Sequence, residues 1–470
     1  MKQLCAFIWL ILVLSCNSGK DSVKTTQVKV DLSKTEMKSF SFGYNTANTF
    51  KYTSDQEEEL FSAIEKIAPQ TLRFPGGTIA NFFHPGEKNY GFKSSDTLQI
   101  KGNVAKHIKK LMDEDRNLES SNYLDQCIAL CKKTKSSVLL VANVLNGNVA
   151  ELEMMINSFQ KNDITIEGIE LGNELYLKAY KDRIPTAKEY IALCKPFAEY
   201  LDTNFPEIPI SVPIESKGDD VLDSSGGWNN LIAQEVFFDA ISFHYYFRSG
   251  SCDHNNSYDA SDCFSKNTVE EYANNFEPTV QKIHQQFPTK QIWLTEFNLF
   301  EPGKNIGGTN AHGLLLLHLS LRMQQNPHIN KVILHNLAGI DKVFSTITIT
   351  NNSLVKNPLF EVFSNVQSQL NSFSSISIDH EQSGESSTYF FSDFNHKNVF
   401  RIVVNMNKEK LKIYEPLFLN NSDSLDVKNQ NSTLFKSDSN IGNKFSIEES
   451  NTNTLEVPGY SILLTKYILK

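Results

Sequence analysis

The chain has 470 residues with a formal net charge of -9, and 40% of it is hydrophobic, including 32 Phe and 16 Tyr. That composition is globular, and no run after residue 16 is long and apolar enough to span a bilayer. The acidic balance, with no basic stripe to offset phosphate repulsion, excludes a nucleic-acid surface.

The first residues read as a targeting segment. Lys2 supplies a short positive region, Leu4 to Leu14 an apolar stretch, and Ser15-Cys16 a small residue before a cysteine. This resembles a bacterial lipoprotein signal over 1–16, although Leu14 is bulky where that motif favours small residues. The resemblance implies a lipid on Cys16, a polar tether over 17–27, and an exported protein anchored in the bacterial cell envelope, at the outer membrane or its periplasmic face. An ordinary secretory signal is the other reading.

The remaining chain alternates strand-like and helix-like segments, the grammar of α/β folds with parallel strands. Val28 to Leu32 is a first strand within a segment, 28–40, expected to join a later β-sandwich. SFSFGYNTAN (39–48) opens into a loop, Asp55 to Ile67 has helical spacing, and TLRFPGG (71–77) is a second strand that Pro75 ends. Residues 84–117 read as a long polar loop. Helical Asn122 to Lys133 precedes the apolar strand Ser136 to Asn143, and Val149 to Phe159 precedes Ile164 to Glu174. Further strands follow at Ile208 to Ile214, Asp239 to Phe247, Gln291 to Asn298 and Lys331 to Leu337, with Pro358 to Leu370 as a closing helix. Eight strand-helix units over 41–372 close a (β/α)8 TIM barrel, which takes about 250 residues and leaves room for a second domain. From Phe373 to the last residue the pattern becomes short alternating strands between Asn, Ser and Asp turns, a C-terminal β-sandwich. The piece from Asn420 to Asn443 reads as exposed hairpins.

Two stretches share one design. ITIEGIELGNELYL (164–177) and QIWLTEFNLF (291–300) are apolar strands whose last residues deliver Glu174 and Glu296. Carboxylates at the carboxyl ends of two barrel strands belong to one centre, because that edge carries the active site of such barrels. Tyr176 and Phe300 follow the two glutamates closely and are candidates for stacking on a sugar ring; a barrel core also absorbs many aromatics.

Cysteine usage fits export. Cys252 and Cys263 bracket the polar loop CDHNNSYDASDC, and in an oxidising compartment a disulfide there contributes about 2 to 3 kcal/mol. A metal site using Cys252, Asp253, His254 and Cys263 is the rival, without a known ligand spacing. Cys127, Cys131 and Cys194 read as small core residues. No phosphate loop, cofactor motif or metal signature is found, and the oligomeric state is not encoded in any pattern.

LRFPGG (72–77), GIELGNE (168–174), ISFHYY (241–246) and LTEFN (294–298) fall in the order seen in retaining glycoside hydrolases of the large β/α-barrel clan. The chain resembles the α-L-arabinofuranosidases and the heparanase-like β-glucuronidases, and VPGYSILLTKY resembles the last strand of their sandwich. The resemblance implies Glu174 as general acid/base, Glu296 as nucleophile and Asn173 on the hydroxyl beside the scissile bond. It further implies Arg73, His244 and Tyr246 around the nucleophile, Asn143 on the sugar, and a polysaccharide or oligosaccharide substrate. Phe74 replaces the usual Trp or Tyr, and TIANFFHP lacks the acidic residues often found there, so pentose specificity does not carry over.

That chemistry needs one ionised and one protonated carboxyl about 5 to 5.5 Å apart. Arg73 and Tyr246 favour charge on Glu296, leaving the proton to Glu174. Arg73 as a structural ion-pair partner and His244 as a core histidine are the plainer readings. Glu167, Glu170 and Glu301 are expected to be structural. The competing class is a non-catalytic carbohydrate-binding surface lipoprotein on an inactive barrel; loss of either Glu174 or Glu296 would point there.

Overall fold

Eight strands close into a parallel barrel: β1 (Phe42–Asn45), β2 (Thr71–Phe74), β3 (Ser137–Ala142), β4 (Ile166–Leu171), β5 (Ile210–Pro213), β6 (Ala240–Phe247), β7 (Gln291–Leu299) and β8 (Ile329–His335). The computed structural model describes residues 28–34, 42–51, 57–115, 122–216, 227–248, 257–300, 306–350, 353–371, 373, 381–383, 386–393, 395–420, 423–437, 442–450 and 456–470. Around the barrel lie α1 (Glu57–Ile67), α2 (Gly102–Asp115), α3 (Tyr123–Thr134), α4 (Val149–Gln160), α5 (Ala187–Asn204), α6 (Gly227–Ile232), α7 (Ser257–Glu271), α8 (Glu277–Gln286), α9 (Asn310–Gln325) and α10 (Pro358–Leu370). Several start on built caps, each worth about 1 kcal/mol. Asn122 accepts from Leu124 N, Asn148 accepts from Glu151 N, and Thr186 and Glu189 form a capping box on α5.

The strands read as continuous apolar runs because both faces are covered. Leu72, Leu140, Ile169 and Leu294 join the main core beneath the helices, whereas Leu139, Ala240 and Trp293 meet inside the barrel. Trp293 is fully buried and plugs the floor. Gly168 makes room for it, since a Cβ there would lie 2.4 Å from its ring. With the floor filled by apolar side chains, polar groups collect above it, at the carboxyl ends of the strands.

A three-stranded sheet of Ala338–Gly339, Ile347–Thr350 and Ser353–Lys356 is inserted between β8 and α10. Beyond α10 a six-stranded sheet runs in the order Glu381–Ser383, Ser386–Ser392, Asn398–Asn405, Ser461–Leu469, Val427–Lys436, Ser446–Ser450. Val28–Asp31 runs parallel to Pro416–Asn420, and its Val30, with Leu32, is buried against Phe390, Val399, Phe418 and Tyr467. The sandwich is tied to α9 and α10: Asn310 Nδ2 donates to Lys444 O (2.9 Å), Tyr389 Oη meets His318 Nδ1 (2.8 Å), and Phe445 N donates to Glu361 (3.3 Å).

Two sequence expectations change. Residues 102–115 of the supposed rim loop form α2, which buries Ile108 and Leu111. The hairpin pairing expected over 420–443 is present, Asn420 with Asp423 and Val427–Lys436 with Ser446–Ser450, but Val427–Lys436 is an internal strand and not exposed throughout. Its first half is exposed and polar, but its second half carries buried Leu434 and Phe435 between two neighbouring strands. Among the described residues no helix is long and apolar enough to cross a membrane. Cys16 and the whole of 1–27 lie outside the described residues.

Candidate active site

Arg73, at the end of β2, organises the top of the barrel. Its side chain is fully buried. Nε and one terminal nitrogen grip Glu170 of β4 in a bidentate pair at 2.9 Å each, and that same nitrogen reaches Asn173 Oδ1 at 2.9 Å. The other terminal nitrogen donates to Glu296 Oε1 at 2.8 Å. Burial alone would favour the neutral guanidine, but the charges of Glu170 and Glu296 outweigh it and hold Arg73 firmly protonated. Glu170 is therefore the structural counter-ion of the site.

Glu296 reaches the barrel interior through a bulge. His244 of β6 pairs with Glu296 where regular register would give Thr295, so Thr295 is the extra residue. Thr295 faces Glu170 (3.4 Å) and Glu296 faces Arg73, so two successive side chains point inward. Four groups surround the Glu296 carboxylate besides Arg73. Asn45 Nδ2 donates to Oε1 (2.8 Å) and Tyr246 Oη to Oε2 (2.6 Å), while Nδ1 of His244 and of His335 each lie 3.6 Å from Oε2. Burial pushes this carboxyl up, but the charges of His244 and Arg73 and the Tyr246 bond more than offset it and hold Glu296 well below the usual carboxylate range.

Asn45 is aimed by its surroundings. Its Oδ1 accepts from Ala47 N (3.1 Å), which leaves Nδ2 for Glu296. Gly76, at φ +67°, is what allows this: a Cβ there would sit 1.8 Å from Asn45 Oδ1. Nδ2 of Asn45 also lies 3.0 Å from His335 Nδ1, and burial holds His335 toward its neutral form. Nδ1 is then the acceptor.

Glu174 follows β4 on a strained turn, with φ +48°. Its neighbour Asn173 is pinned at both backbone groups by one side chain: Asn173 N donates to Asn81 Oδ1 (2.9 Å) and Asn81 Nδ2 donates to Asn173 O (2.7 Å). The Glu174 side chain is 23% exposed, open to a ligand, and its Oε1 is 2.8 Å from His244 Nδ1. Burial lowers the His244 pKa, yet Glu296 and Glu174 reverse this and raise it overall. Oxygens of Glu174 and Glu296 and a nitrogen of His244 all lie within 4.8 Å of one another.

No family model matches the sequence, and no curated protein matches it. Solved structures match over nearly the whole chain. The α-L-arabinofuranosidase of Thermotoga maritima, solved with arabinose, has a TM-score of 0.62 at 14% identity, covering 95% of this chain and 98% of its own. The GH51 arabinofuranosidase of Xanthomonas axonopodis pv. citri gives 0.64 at 11% identity, over 93% and 99%. The 4-O-α-L-rhamnosyl-β-D-glucuronidase of Fusarium oxysporum gives 0.60 at 12%, over 93% and 99%. This chain has their fold. The barrel followed by a β-sandwich is the architecture common to all of them.

Within that fold, Arg73, Asn173, Glu174, His244, Tyr246 and Glu296 converge, whereas three other expected residues sit differently. Asn143 Nδ2 donates to Phe83 O (3.0 Å) and its Oδ1 accepts from Asn146 N (2.8 Å). Its side chain is spent on loop backbone, a scaffolding place rather than the sugar-contacting one expected. Tyr176 is buried, edge-on to Trp228 at 6.1 Å, and offers no open platform. Phe300 is 39% exposed at the rim, but the Arg248 guanidinium covers one face at 5.0 Å. Cys263 is disulfide-bonded, while Cys252 lies outside the described residues, as do Asp253, His254 and Glu301. Asn45, Asn81 and His335 were not anticipated. Asn45 and His335 close strands in FGYN and KVILH, the same signal that marked Glu174 and Glu296.

Among the described residues, Glu174, His244 and Glu296 also form a group that could hold a cation. Their donor atoms are already engaged, however. Glu174 is on His244, and both Glu296 oxygens accept hydrogen bonds from Arg73, Asn45 and Tyr246. The arrangement suits proton transfer and nucleophilic attack at one carbon.

Proposed function

We propose that the protein is a retaining glycoside hydrolase acting on a polysaccharide or oligosaccharide, arabinofuranosidase-like in architecture. The observation that carries this reading is the pair of carboxyl groups within 4.8 Å, one held ionised by Arg73, His244, Tyr246 and Asn45 and the other open beside a histidine. A separation near 5 Å is the retaining geometry; inverting enzymes need about 6.5 to 9.5 Å to admit a water.

In the first step the Glu296 carboxylate attacks the anomeric carbon, the glycosidic C–O bond breaks, and the leaving oxygen takes the proton from Glu174. A glycosyl ester on Glu296 results. In the second step Glu174, now a carboxylate, removes a proton from water; the water oxygen bonds to the anomeric carbon and the ester bond to Glu296 breaks. His244 Nδ1, hydrogen-bonded to Glu174, orients that carboxyl. Asn173, held by Arg73 and Asn81, presents its amide to the sugar hydroxyl next to the bond. An inactive sugar-binding barrel has no use for a carboxylate kept ionised in a buried site. We further propose that a lipid on Cys16 anchors the enzyme to the cell envelope.

Intact-mass measurement after exposure to pentosyl, hexosyl and uronosyl 2-fluoro inactivators tests the mechanism. One sugar adduct on the native protein, absent from Glu296→Gln, is expected. The absence of any adduct, together with undiminished glycan binding by the variant, would overturn the assignment. Metabolic labelling with a fatty acid, lost in Cys16→Ala, tests the anchor.

A further inference from the structure

Outside the candidate catalytic centre, the same face of the barrel holds a cavity of about 750 Å³ between the loop after β3, the N-terminus of α4 and the flank of α5. That size is within the roughly 300 to 1,000 Å³ of small-molecule sites. One wall is apolar, formed by Leu193, Pro196 and Phe197, and the other carries Lys93, Asp96 and Arg183.

The charges on that wall are unevenly satisfied. Asp96 accepts from Lys93 N (2.7 Å) and faces His84 Nε2 (3.3 Å). Glu151 sits on His84 Nδ1 (2.9 Å) and on Lys93 Nζ (3.3 Å). Arg183 receives neither carboxylate. Its two terminal nitrogens donate to neutral acceptors, Asn146 Oδ1 and Leu145 O, and no ion pair holds it among the described residues. Burial lowers its pKa and Asp96 only partly compensates. A half-buried guanidinium that lacks a counter-ion favours an incoming anion, and its planar fork suits a carboxylate or a sulfate. The positive end of α4, twelve residues long, opens onto the same space and adds to that preference.

We propose that this cavity is a second sugar-binding site, selective for a sugar bearing a carboxylate or a sulfate ester, with Arg183 on the acidic group and Leu193, Pro196 and Phe197 against the ring's apolar face. The choice of a sugar rests on the glycosidase reading; the preference for an anion does not. The site shares a wall with the centre: Asn146, which anchors Arg183, also donates to Asn81 O (2.8 Å), and Asn81 holds Asn173.

Calorimetric titration of the mature full-length protein with D-glucuronate, D-galactose sulfate, D-galactose and inorganic sulfate tests this. Two variants accompany the native protein: Arg183→Gln, and Ala192→Trp, which fills the cavity from an exposed helix position without changing charge. Glu296→Gln reports on binding at the catalytic centre. Binding of glucuronate or galactose sulfate, at least tenfold weaker in both cavity variants and unchanged in Glu296→Gln, is expected; which of the two binds identifies the acidic group. Equal binding of galactose, inorganic sulfate binding as tightly as the sugars, no binding at all, or binding that survives both variants would each overturn the proposal. Failure of the glycosidase reading shows itself separately, as a missing adduct on Glu296, because the titration requires no turnover.

Discussion

Replacing Arg73 by Met tests the electrostatic account of the site. The guanidinium makes four hydrogen bonds, two to Glu170, one to Glu296 and one to Asn173, and Arg73 and all three partners are buried. Removing one member of a buried ion pair costs about 3 to 5 kcal/mol. Here two carboxylates lose the same cation, so the upper end, about 5 kcal/mol at pH 7, is expected. The pH dependence has a definite sign. In the native protein burial pushes Glu296 up, but His244 and Arg73 bring it below its unfolded value. Its stabilisation is present above that unfolded value and fades as pH falls through the folded one. In Arg73→Met the folded value rises, so the penalty is larger at pH 7 than at pH 5. Urea unfolding of the native protein, Arg73→Met, Glu170→Gln and the double variant at both pH values measures this, and the double variant should show a favourable coupling of about 0.5 to 3 kcal/mol. A loss below about 1 kcal/mol at pH 7, or an equal loss at the two pH values, would refute the reasoning.

Tyr246→Phe removes the 2.6 Å bond to Glu296, a bond that lowers that carboxyl, so the acidic limb of kcat/KM should move to higher pH; an unmoved limb would disconnect Tyr246 from the proposed nucleophile. Glu174→Gln should lower kcat/KM about 100- to 10,000-fold on glycosides with poor leaving groups, and far less on dinitrophenyl glycosides, which need no acid. A uniform loss across leaving groups would deny Glu174 the acid role. Gly76→Ala places a methyl 1.8 Å from Asn45 Oδ1 at φ +67°, so it should cost about 1 to 2 kcal/mol in backbone strain and reduce kcat/KM as well. Asn45→Ala should reproduce the kinetic loss without the strain, which thermal unfolding and initial rates together resolve.

The barrel was legible because parallel strands covered on both faces appear as unbroken apolar runs, and SSVLLVAN or DAISFHYYF admits few other readings. The strand-end carboxylates were legible for the same reason, since a Glu that ends an apolar run has nowhere to go but the rim. The bulge at Thr295 was not. Alternation along Trp293 and Thr295 sends Glu296 outward, and only the extra residue in the β6–β7 pairing turns it in. Asn143 shows the opposite limit: a polar residue at a strand end can turn back onto its own loop, which spacing does not reveal. The burial of Leu434 and Phe435 was missed because a long strand that is half exposed carries the composition of a turn.

Glu170 has a consequence beyond anchoring Arg73. In the proposed reaction Glu296 becomes an ester and ceases to be an anion, which would strand a fully buried guanidinium beside a neutral group. The bidentate partner, which takes no part in the chemistry, remains. Arg73 thus keeps a full countercharge through both half-reactions, and the electroneutrality of the barrel mouth is buffered against the one event that would otherwise disturb it.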